Sequence, residues 1–136
     1  MKIYIMILSN PQYPLMISGS LYLLPYIIYP LPVYVICMHN TLVFTTFLFW
    51  GGGAKKGTIV HRCDALVART VFLYWVVTGF GTEKRKDIMG GLIVIFLIFF
   101  YWSNYYSSRD WLCKKHLYNH MGIHLTGLIY IFYCLF

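Results

Sequence analysis

The sequence predicts an all-α protein, a polytopic transmembrane helical bundle of about five spans. Three observations lead there. Only 11% of the 136 residues are charged, where soluble domains carry about a quarter, and the mean hydropathy is +0.65. From Ile3 to Ala54 there is no Asp, Glu, Lys or Arg, a run far longer than the about 20 residues that cross a bilayer. The basic residues are gathered in short clusters between apolar runs, which is the pattern of membrane loops. The net charge of +7 therefore marks no nucleic-acid partner. The lipid bilayer is the expected partner.

The elements follow in chain order. The first uncharged block is too long for one span and must fold back on itself. Pro30-Leu31-Pro32 is its turn, because proline removes a donor and disfavours helix in the residue before it. That gives spans at about 15–29, with a kink at Pro25, and about 32–50. Gly51-Gly52-Gly53 ends the second, glycine being the favoured residue past a helix C-terminus. The third span, about 63–82, carries Asp64 and Arg69. A polar hairpin at 83–87 leads to the fourth, about 88–106, which holds LIVIFLIFFYW. The fifth covers about 116–136. Fusing the first two spans gives a four-span bundle as second choice, at the cost of leaving LVFTTFLFW unassigned.

The chain 1–136 reads as one transmembrane domain. Its N-terminal MKIYIMIL has a short apolar run and no small-residue cleavage site, so it is expected to be retained. If the spans alternate, Lys2, Lys55, Lys56, Arg62, Arg109, Lys114 and Lys115 share one side. Lys84, Arg85 and Lys86 occupy the other. That bias puts the N-terminus on the cytosolic or matrix side. Four scattered cysteines without CxxC spacing imply no disulfide framework.

The chemistry is concentrated in histidines. His116, His120 and His124 recur every fourth residue and fall on one helix face, a stripe about 12 Å long at about 1.5 Å per residue. Span two ends, and spans three and five begin, on the same side of the membrane. His39 then lies about 16 Å from the Trp50 end of its span, and His124 about 12 Å into the last one. Asp64 stands at the mouth of the third. One pocket open to the basic side gathers His39, His120, His124 and Asp64. Ionisable groups within spans are costly and usually mark function. Three neutral imidazoles with an open fourth position are a catalytic zinc pattern. A carboxylate beside them orients a ligand or takes a proton.

Plainer readings compete at each position. The histidine stripe also suits hydrogen bonds between membrane helices, and His116, beside Lys114 and Lys115, suits the interface. His39 with Asn40 and Thr41 makes a polar helix contact. Asp64 with His61 and Arg62 makes an interfacial ion cluster, while Arg69 snorkels. His39 paired with His120 or His124 also suits the two axial positions of a haem.

A histidine and a carboxylate on early spans, with HxxxH on the last, resembles the alkaline ceramidase and adiponectin-receptor type of membrane hydrolase. The text His120-Met-Gly-Ile-His124-Leu-Thr-Gly-Leu is similar to the HxxxH and TGL wording of the ceramidases. The resemblance implies a zinc-dependent hydrolase of lipid amide bonds. His39, His120 and His124 would hold the zinc, Asp64 would be the acid–base residue, and a lipid would be the substrate. It covers a minority of the chain. The family has seven spans where this chain offers about five, and Val35 stands where the family has a serine. The other function class is a non-catalytic membrane subunit or assembly factor of a larger complex, which small size and short loops suit.

Overall fold

The computed structural model describes residues 12–136; the N-terminal stretch and Lys2 lie outside the described residues. Six α-helices and one 3-10 turn follow in order, with no strand among the described residues. They are α1 (Tyr13–Ser20), the 3-10 turn (Leu21–Leu23), α2 (Leu24–Ile28), α3 (Val33–Gly51), α4 (Ile59–Phe80), α5 (Lys86–Arg109) and α6 (Lys114–Leu135).

The helix ends follow from local chemistry. Pro25 has no N–H, so the carbonyl of Leu21 is taken instead by the N–H of Leu24, the C-cap of the 3-10 turn. The tighter i→i+3 bonding is what interrupts α1–α2, and the kink expected at Pro25 is this turn. Pro32 is the N-cap of α3, so the Pro30–Pro32 break separates α2 from α3. The glycine run ends α3 at Gly51, and Gly53 takes φ +92°. α4 starts at Ile59, four residues before the expected span, because the Thr58 side chain accepts from the His61 N–H and caps it. At its other end Lys86 Nζ donates to the carbonyls of Phe80 (2.8 Å), Gly79 (3.3 Å) and Thr82, which satisfies last-turn acceptors with a cation. Cys113 caps α6 through Sγ, which accepts from His116 N–H at 3.4 Å.

Successive long elements run in alternating directions. Tyr22 meets His39 while Met16 meets Gly51, so α1 and α3 are antiparallel. His39 meets Trp75 while Thr46 meets Asp64, so α3 and α4 are too. α5 and α6 form the most extensive antiparallel pair. Both loops of the basic end therefore meet. Trp111 Nε1 donates to the carbonyl of Ala54 at 2.7 Å, and Lys56 Nζ donates to that of Ser107 at 2.9 Å.

Three helices, α3, α4 and α5, are long and apolar enough to cross a membrane. α6 has the 22 residues of α4, but its first turns carry Lys114, Lys115, Asn119 and the histidines. The α1–α2 run is apolar and shorter. The outer surface is that of a membrane protein: Val33 is 75% exposed and Leu66 66%. So much exposed aliphatic surface is a liability in water and the ordinary state in lipid.

One core joins α3, α4, α5 and α6 through Val35, Leu42, Val71, Trp75, Met89 and Ile131. Gly79 lets three helices converge. A Cβ built there would meet Met89 Cε, lie 2.5 Å from the Tyr130 hydroxyl and lie 2.9 Å from Cys134 Sγ. Close helix approach at small residues is how membrane helices gain packing. Gly79→Leu is expected to lower stability by about 1–3 kcal/mol through overpacking, read as the thermal midpoint in detergent. Gly90→Leu, where a Cβ meets nothing within 4 Å, is expected to leave it near that of the unaltered protein.

Candidate functional site: a histidine-lined cavity

A cavity of about 750 Å³ lies between α3, α4, α5 and α6, inside the range of small-molecule pockets. It starts at the basic end beside Lys56, His61, Trp111 and His116. It runs inward past Asp64, Arg69 and His120, and closes over apolar groups such as Leu42, Val71, Phe72 and Trp75. α4 and α5 both pack on α6 and scarcely on one another. Ala65 and Ala68 leave room between them. Across that gap Phe72 stacks on Phe96, with centroids 3.9 Å apart and planes at 6°.

His39 is fully buried, and both its ring nitrogens are used. Trp75 Nε1–H lies 2.8 Å from His39 Nε2, and His39 Nδ1 lies 2.7 Å from the Tyr22 carbonyl oxygen. An indole can only donate and a carbonyl can only accept. The ring therefore carries its proton on Nδ1, and Nε2 accepts. Tyr22 needs this donor because Pro25, at i+3 in the 3-10 turn, has no N–H to offer. His39 is thus a joint between the broken first helix, α3 and α4.

The stripe on α6 splits between two neighbours. His116 Nδ1 lies 3.1 Å from the Ser103 carbonyl and 3.2 Å from its Oγ, so this ring too is protonated on Nδ1. Ser103 Oγ is also 3.2 Å from His120 Nδ1. This one hydroxyl thus ties two histidines of α6 to α5. His124 turns to α1: its Nδ1 lies 2.8 Å from Ser18 Oγ. That hydroxyl donates to the Leu15 carbonyl at 3.2 Å, so His124 donates to Ser18 and keeps an Nε2 lone pair. Tyr22 OH adds a bond to the His124 carbonyl at 3.0 Å.

Asp64 is 8% exposed and accepts from Thr46 Oγ1 at 3.1 Å. No salt bridge holds it among the described residues, where Arg85 with Asp87 forms the ion pair. Its neighbour Arg69 also lines the cavity.

The structure thus brings His120, His124 and Asp64 to one cavity, and it sets His39 behind the wall, bonded to Trp75. Of the three expected zinc ligands, His39 has both ring nitrogens occupied, while His120 and His124 each have Nδ1 on a serine. Among the described residues no group of three or more His, Cys, Asp or Glu is placed to hold a metal ion. The side chains as arranged do not fit a three-histidine zinc centre. Nor do they fit a bis-histidine haem through His39. Sequence reasoning missed Trp75, Ser103 and Ser18, the partners that take up the histidine nitrogens. Ser103 did leave a signal, as the first serine or threonine after the long hydrophobic run 92–102.

No protein-family model matches this chain, and neither the curated proteins nor the solved structures gave a match.

Replacing His39 by Phe leaves a buried indole N–H and a buried carbonyl without partners, each costing about 1–3 kcal/mol. A double-mutant cycle with Trp75→Phe checks the joint. The second substitution is expected to cost less in the His39→Phe background than alone, with a coupling of about 0.5–3 kcal/mol.

Proposed function

We propose that the chain is a five-span, non-catalytic membrane subunit or ligand-binding protein, in which the histidines join helices around an intramembrane cavity. The observation that carries this reading is that Nδ1 of His39, His116, His120 and His124 is hydrogen-bonded in every case to another helix. Such bonds between membrane helices are worth about 0.6–2 kcal/mol each. Four of them suit a scaffold more than a reactive centre. The alternating helix directions and the two basic loops at one end support five crossings, with the N-terminus on the cytosolic or matrix side.

The alternative is the zinc-dependent hydrolase of lipid amides. One observation favours it: His120, His124 and Asp64 line the same cavity. It requires the Trp75 indole to leave His39 Nε2 before that nitrogen can ligate, while Nδ1 can keep the Tyr22 carbonyl. Elemental analysis of protein purified without chelator separates the two. The subunit reading predicts no stoichiometric zinc in folded protein. Stoichiometric zinc that disappears in the His120→Ala and His124→Ala variants contradicts it and restores the hydrolase. Membrane residence is tested separately, by retention in the pellet after alkaline carbonate extraction.

A further inference from the structure

Asp64 is the buried acidic side chain of the described residues, and it has no counterion among them. It stands in the second turn of α4, a helix long and apolar enough to cross a membrane. The residue is 8% exposed and lines the cavity. Thr46 Oγ1 donates to its Oδ1 at 3.1 Å. Its Oδ2 accepts no hydrogen bond among the described residues. That oxygen is not sealed either, because the buried side-chain atoms lacking a partner there are Trp50 Nε1 and His116 Nε2. One carboxylate oxygen therefore keeps free surface on a residue of the cavity wall.

The cations near the cavity are turned elsewhere. Arg69 lies five residues further along α4, about 140° round the axis at about 3.6 residues per turn, and is exposed. Its charge, with those of Lys56 and Arg62, acts on His61, whereas Thr46 and Thr45 are the side chains that act on Asp64. Lys56 Nζ is held by the Ser107 carbonyl at 2.9 Å and lies over the Trp111 ring. A long basic side chain can extend to polar surroundings, and an aspartate cannot. An enclosed charge without a partner is costly, and ionisable groups inside spans mark substrate and ion sites. The rest of the wall suits an organic body. Phe72, Phe96, Phe100 and Ile123 line it and are half-buried. Phe72 stands about 12 Å beyond Asp64 on the same helix, at about 1.5 Å per residue.

We infer that the cavity binds a lipophilic monoamine, whose ammonium group donates to Asp64 Oδ2 while its hydrocarbon body lies against Phe72, Phe96 and Phe100. An ammonium brings both the charge and the hydrogens that the free carboxylate oxygen lacks, and such charge-assisted bonds are stronger than neutral ones. Aromatic faces also attract a cation. An alcohol of the same shape brings no charge, and a carboxylic acid brings the wrong one. The inference rests on the ligand-binding form of the proposed function, a membrane protein whose cavity holds no zinc.

The test uses the full chain in nanodiscs of zwitterionic lipid, with empty nanodiscs as the blank and tritiated 4-phenylbutylamine as the probe. Saturable binding is expected. Unlabelled amine is expected to displace the probe at least about tenfold better than 4-phenylbutanol or 4-phenylbutyrate. Asp64→Asn keeps the side chain's size and the contact with Thr46. It is expected to weaken binding by about ten- to a hundredfold, the loss of one bond to a charged group. Arg69→Gln is expected not to weaken it. The competitor series on the unaltered protein decides the inference whether or not the variants fold. Binding no greater than the blank overturns the cavity as an amine site. The alcohol displacing as well as the amine overturns the charge assignment, as does undiminished affinity in Asp64→Asn. The acid displacing better than the amine overturns it in favour of an anion held by Arg69. Stoichiometric zinc or release by alkaline carbonate fails the proposed function itself, an outcome distinct from loss of amine binding alone.

Discussion

A chain in hydrocarbon has no water to complete its hydrogen bonds, so every polar backbone group must find a partner inside the protein. Pro25 breaks that rule in the first helix by withholding an N–H. The repair comes from His39, whose Nδ1 reaches the Tyr22 carbonyl while Nε2 takes the indole N–H of Trp75. One imidazole thereby ties three elements together. His39 stands on α3 and is bonded to α4, and these two helices are neighbouring sides of the cavity. The other histidines extend the same logic. Ser18 and Ser103 would each be a costly lone hydroxyl in lipid, and His124, His116 and His120 meet them.

This economy leaves a remainder. Among the described residues, Trp50 Nε1 and His116 Nε2 are buried side-chain atoms without a hydrogen-bond partner. Deeper in, Ala65 and Ala68 line a gap across which Phe72 stacks on Phe96. The same helices that use their polar groups up so fully elsewhere stop short where a cavity exists. A site of this shape is suited to holding a molecule, and among the described residues no three of its ionisable side chains are placed to hold a metal ion.

Much of the fold was legible because its causes are local in sequence. The charge-free run before Ala54, the two prolines around Leu31, the three glycines after Trp50 and the polar turn at 83–87 each act within a few residues. The His116–His120–His124 stripe was legible for the same reason, as helical periodicity. Helix ends were less so, since Thr58 moved the start of α4 by a side-chain cap that apolar patterning does not reveal. The meeting of both basic loops at one end followed from counting spans, and the Trp111–Ala54 and Lys56–Ser107 bonds show it.

The wiring of the site was not legible. Sequence places His39 and His124 at similar depths, but cannot say that Trp75 occupies the nitrogen a metal would need. That depends on the rotation of α4 about its own axis, which is set by packing at Gly79 and along α6. The most direct test of the account is the ring ¹⁵N spectrum of histidine-labelled protein in bicelles. The account predicts His39 protonated at Nδ1, with an Nε2 resonance that shifts on Trp75→Phe and does not respond to added zinc. A His39 ring protonated at Nε2, or an Nε2 signal that moves stoichiometrically with zinc, would contradict it.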